Sequence, residues 1–74
     1  MAIYAKDRAL EIARTEKGWS CAKLAREAGV AGPTVTRTEK GLPASPLTAR
    51  KLAEALEKPL TDLFDFRPRD GEEV

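Results

Sequence analysis

The side chains best suited to chemistry in this 74-residue chain cluster between Ser20 and Lys40. Thr34, Thr36 and Arg37 follow one another closely. On a helix beginning near Gly32-Pro33 they share an outward face with those two residues. A guanidinium is a planar fork that grips guanine O6 and N7 together. It serves equally as a plain phosphate contact, and both roles stay open for Arg37. Threonine hydroxyls bond to a base or a phosphate, and their methyls touch a thymine methyl. Pro33 offers only apolar contact. Lys23 and Lys40 flank the stretch as candidate phosphate partners. Backbone N–H groups at Ser20-Cys21-Ala22 face a phosphate if a helix begins there. This is the chemistry of holding a polyanion and reading its edges.

Bond-breaking chemistry has few places to start. The chain has no histidine, which excludes a Ser-His triad, a Cys/His zinc site and a histidine pH switch. One cysteine forms no internal disulfide. The Asp and Glu residues are scattered, with no converging pair, and no glycine-rich phosphate loop is present. No enzyme, cofactor or metal is expected. Cys21 has two readings: a redox-sensitive thiol whose pKa a helix start would lower, or a small filler. Trp19 is read as a core residue rather than a base-stacking one.

Positioning these groups falls to one small domain, about 60% of whose unfolded surface is buried on folding. Hydrophobic residues make up 42% and charged residues 34%, unlike a disordered chain or a membrane span. The start, Met1-Ala2-Ile3-Tyr4-Ala5-Lys6, lacks the apolar core of a signal peptide, so a cytoplasmic location is expected. Net charge is +1, unevenly spread. Residues 1–44 hold eight Lys/Arg against five Asp/Glu, and residues 45–74 hold five against seven. A basic first part and an acidic end suit a molecule with one face toward a polyanion.

Ala, Leu, Glu, Lys and Arg favour helix, and no long apolar–polar alternation appears. The reading is an all-α, five-helix fold. Helix one is expected from Ile3 to Lys17, with Leu10 and Ala13 buried and Gly18 as its stop. Ser20 caps helix two, and Trp19 with Leu24 makes a hydrophobic staple across that cap. Helix two ends near Ala28-Gly29. Helix three runs from about Gly32-Pro33 to Glu39 or Lys40, with Gly41 as its stop. Ser45-Pro46 starts helix four, which reaches about Glu57 and buries Ala49, Leu52, Ala53 and Leu56. A short fifth helix carries Leu60, Leu63 and Phe64. Residues 1–66 form the domain and residues 67–74 a flexible acidic tail.

The spacing from Leu24 to Val35 fits a helix-turn-helix. Two helices crossing closely need a small residue at the contact, here Ala25. Gly29 permits positive φ in the tight turn. Leu24, Val30 and Val35 fill the wedge. With Arg14, Trp19-Ser20, Thr36-Arg37, Glu39-Lys40-Gly41, Lys51 to Leu56 and Leu60 to Phe64, the stretch from Leu10 to Phe64 resembles the phage Cro/CI repressor class, the XRE-like helix-turn-helix domain. That resemblance implies a compact five-helix, lambda-repressor-like domain that binds duplex DNA as a transcription regulator. It also implies an ion pair between Arg14 and Glu39, linking helix one to the end of helix three.

This chain departs from the family pattern in four places. Ala31 stands where a polar cap is usual. Gly32 and Pro33 stand where long polar side chains commonly read bases. Thr38 replaces a core aliphatic residue. The loop after Gly41 is about one residue shorter.

The expected function is sequence-specific binding to double-stranded DNA, with helix three in the major groove. The regulator is expected to be a repressor of phage, mobile-element or operon type. One such unit reads only a few base pairs, so a weak homodimer on a palindromic operator is expected. Its interface is placed at Leu60, Leu63, Phe64 and Phe66, although Phe66 can equally fold back to close the core. The alternative is a protein-interaction module, such as an antitoxin or antirepressor-binding domain. The lean reading face and near-neutral charge suit it.

Overall fold

A computed structural model describes residues 2–67. The elements in order are β1 (Ala2–Ala5), α1 (Ala9–Glu16), α2 (Cys21–Ala28), α3 (Gly32–Glu39), α4 (Pro46–Leu56), α5 (Leu60–Leu63) and β2 (Phe64–Arg67). The five expected helices are present, but the fold is not strictly all-α. β1 and β2 pair antiparallel, with Ala2 opposite Arg67 and Ile3 opposite Phe66.

Helix one therefore starts at Ala9, not at Ile3. Arg8 precedes it in the left-handed region at φ 59° and supplies no side-chain cap. The segment before it is extended because Ala2 and Ile3 are buried and their backbone finds partners on two sides. β2 lies on one side. On the other, Ala44 N–H donates to the Ile3 carbonyl at 2.8 Å. Arg67, expected to open a tail, instead ends β2. The rest of that tail, residues 68–74, lies outside the described residues.

The helix boundaries follow the capping chemistry. Ser20 Oγ accepts from Lys23 N–H, and Ser45 Oγ accepts from Thr48 N–H, both at 3.1 Å. Gly29 ends α2 at φ 74°, a left-handed conformation that glycine adopts without strain. α4 ends on a left-handed residue that is not glycine, Glu57 at φ 57°. Lys17 Nζ holds its carboxylate at 2.7 Å.

The core joins all these elements. Leu10 and Ala13 of α1 meet Leu24 and Ala25 of α2, Val35 of α3 and the four expected residues of α4. Leu63 and Phe64 complete it, each at most 2% exposed. They are thus core residues in this chain, and only Leu60 and Phe66 of the expected dimer surface retain accessible side chains. Phe66 is 47% exposed and does not close the core.

Candidate nucleic-acid interface

α2 and α3 are held together by apolar wedging and by one charged clasp. Leu24 and Val35 are fully buried at the crossing. At the other end of α3, Arg14 Nε donates to Glu39 Oε2 at 2.8 Å, and Nη2 reaches Oε1 at 3.4 Å. This is the two-pronged geometry that suits guanidinium and carboxylate. Nη1 also donates to the Trp19 carbonyl at 3.1 Å. One side chain of α1 therefore fixes both the entry to α2 and the exit from α3. The Glu39 hydrogen bond raises the Arg14 pKa above its ordinary value, against a smaller opposing effect of burial.

Cys21 sits beneath this clasp. Its Sγ lies 3.5 Å from both Glu39 carboxylate oxygens, with the thiol as donor. Burial and then the Glu39 charge push the thiol pKa up, outweighing Arg14. The redox reading needed a lowered pKa, so the helix start does not dominate here. The Cys21 side chain turns into the domain, and only its backbone N–H remains at the start of α2. Folded protein should accordingly react with iodoacetamide at pH 8 more slowly than urea-unfolded protein. Equal rates would contradict the half-buried placement.

Thr38 shows how α3 carries a hydroxyl in the core. It is 2% exposed, and its Oγ1 donates to the Thr34 carbonyl at 2.8 Å. The hydroxyl is thus satisfied within its own helix and the methyl is left to pack. Ala31, at the N-cap of α3, makes no side-chain cap bond.

On the outward side, Pro33, Thr36 and Arg37 of α3 are exposed, and Gly32 and Thr34 are half-buried. Lys40, just past the helix, is exposed, as are Ser20 and Ala22 at the start of α2. Lys23 is half-buried and paired with Glu27 at 3.1 Å, which reduces its value as a phosphate contact. Sequence reasoning missed one neighbourhood. An open cleft of about 210 Å³ beside Arg37 is lined by Thr34, Thr38, Pro43, Ala44, Ser45 and Thr48. Ser45 and Thr48 hydroxyls bond each other there at 3.0 Å. The Ser45-Pro46 cap was the available signal, since it fixes where α4 begins.

Among the described residues no group of three or more Cys, Asp or Glu side chains is placed to hold a metal ion. No helix there is long and apolar enough to cross a membrane. No curated protein matches the chain. A helix-turn-helix family model, of the XRE type, matches residues 10–63, from the second residue of α1 to the end of α5. With that match over well over half of its length, and with α2 and α3 crossed on a buried wedge, the chain belongs to the XRE-like helix-turn-helix family.

Proposed function

We propose that this protein is a sequence-specific, duplex-DNA-binding transcription regulator that lays α3 in the major groove. We further propose that it represses genes of phage, mobile-element or operon type, as a weak dimer on a palindromic operator. The observation that carries the reading is the outward row of Pro33, Thr36 and Arg37 on a helix fixed at both ends. Arg37 reads a guanine, and Thr34 and Thr36 supply shorter contacts. Lys40 and the free N–H groups at the start of α2 hold phosphates. So short a set of side chains leaves part of the specificity to DNA shape and to half-site spacing.

Selection of bound duplexes from a random library tests this reading directly. A recovered palindrome is expected, with half-sites about 10 base pairs apart. On that operator Arg37→Ala should cost about 1–3 kcal/mol of discrimination while binding random duplex nearly as before. An equal loss on both DNAs makes Arg37 a phosphate contact and removes the base-reading role.

One observation favours a second reading. Gly32 and Pro33 lead the exposed end of α3, and Lys23 is paired within its own helix. A protein-interaction module, taking an antirepressor or toxin, needs no more than this. The two readings part on nonspecific duplex at low salt. A DNA binder retains it and loses it as salt rises, whereas an interaction module does not bind.

A further inference from the structure

We propose that Lys6, Arg8 and Arg67 join Lys40 in a second DNA contact, one that grips backbone phosphates beside the groove taken by α3. The inference rests on the DNA-binding reading above and carries its contact surface onto the end of the domain where β1 and β2 pair. The three added cations lie outside the family-matched span of residues 10–63.

Arg8 is the first observation. It holds φ 59°, a left-handed conformation that favours glycine and strains a residue with a Cβ. Its side chain does little for the fold in return. It makes no cap bond to α1. Among the described residues its ion partner is Glu11 at 3.4 Å, and the two side chains are 68% and 45% exposed, a pair that contributes little in water. The turn is held by backbone instead. Ala9 N–H donates to the Lys6 carbonyl at 3.0 Å, and Ile12 N–H donates to the Arg8 carbonyl at 2.9 Å. What an arginine does supply there is a guanidinium on the wall of an open cleft of about 380 Å³.

That cleft lies where the sheet meets the end of α3, and Lys6, Arg8, Lys40 and Arg67 line it. Asp7, Glu39 and Asp65 line it too, but Arg14 already holds Glu39 at 2.8 Å. The cleft is therefore cationic. Arg67 is positioned in advance, with its guanidinium 4.3 Å over the Tyr4 ring. Lys40 ties the cleft to the reading helix. It keeps near-helical angles, φ −82° and ψ 0°, so it continues the outward row three residues after Arg37 and four after Thr36. When that row sits in the major groove, the phosphates bordering the groove pass the last turn of α3, where the other three cations stand. Such contacts add affinity and fix register without reading bases. They suit a reading row as short as this one.

The test is the salt dependence of duplex binding by the full chain. Each phosphate contact contributes about 0.9 to the slope of log affinity against log salt. Arg8→Gly removes the cation and places the favoured residue at φ 59°, so the variant should melt close to the wild type. Its slope should fall by about 1, and its affinity for operator and random duplex alike should drop on the order of fivefold at about 0.15 M salt. Lys6→Gln and Arg67→Gln should each do the same, whereas Arg67→Lys should keep the slope. Lys58→Gln controls for net charge, because Lys58 pairs with Glu16 at 3.6 Å in the groove between α1 and α5. It should bind as the wild type does. Ethylating one phosphate beside α3 should weaken the wild type and leave Arg8→Gly no weaker than before. Unchanged slopes in all three neutralised variants would overturn the proposal, whether the duplex passes elsewhere or residues 68–74 fill the cleft. So would an equal loss in Lys58→Gln, which would make the effect one of net charge. Wild-type protein that selects an operator no better than these variants do keeps its function and loses this site. Wild-type protein that holds no duplex at low salt loses both.

Discussion

Leu24→Ala should lower the stability of the domain by about 3–5 kcal/mol, measured by urea unfolding followed by circular dichroism. Leu24 is 0% exposed and lies where α2 crosses α3. Removing its branched end forfeits the transfer energy of the deleted carbons and leaves a cavity lined by atoms that cannot all move in. The wedge around it includes Val35, also 0% exposed, and Ala25, already too small to fill the gap. A domain of this size has a total stability on the order of 4–11 kcal/mol. The variant should therefore be partly unfolded at 37 °C and bind DNA poorly for that reason alone. A shift below about 1 kcal/mol would mean that the crossing is loosely packed.

Glu39→Gln should cost about 1–3 kcal/mol while leaving every outward residue of α3 in place. The full loss of a buried ion pair is larger. Here the Arg14 and Glu39 side chains keep 19% and 15% of their accessibility, so water screens part of the effect. The amide still offers one acceptor to Arg14, but it removes the charge. Two readouts separate this account from general damage. The melting temperature falls. At temperatures where the variant is folded, Cys21 alkylates faster than in the wild type, because the Glu39 carboxylate helps to hold that thiol protonated. A lower melting temperature with unchanged thiol reactivity would place the damage elsewhere.

Local chemistry made most of the helical frame legible in the sequence. Ser20, Ser45 and Pro46 mark starts, Gly18 and Gly29 mark stops, and the spacing of Ala49, Leu52, Ala53 and Leu56 selects the buried face of α4. These signals act within a few residues. The Arg14–Glu39 pair was visible only through family resemblance, since nothing in the spacing joins two residues 25 apart. The sheet escaped for a related reason. Phe64-Asp65-Phe66-Arg67 does alternate apolar and charged residues, but four residues are too few to distinguish a strand from the end of a helix. Its partner, Ala2-Ile3-Tyr4-Ala5, reads as a helix start by propensity. Each becomes a strand because the other is there, and burial of Ile3 and Phe64 overrides the local preference. For Cys21 the small-filler reading was within reach of the sequence, but its contact with Glu39 was not, because that depends on where Glu39 ends up. Helix-start electrostatics pointed one way, and burial with a neighbouring carboxylate pointed the other.

The pairing of Ala2 with Arg67 also orders the events of folding. It closes nearly the whole described chain into a loop, the costliest closure available to it. Contacts between successive helices close much shorter loops and form sooner. During synthesis α2 and α3 are made before β2. The helix-turn-helix can thus assemble on local contacts, while the strand Ala2–Ala5 waits with Ile3 exposed. Arrival of Phe64 seals the core and the sheet in one step. Chains that stop short of it keep the DNA-reading sequence but never receive the residue that closes the core.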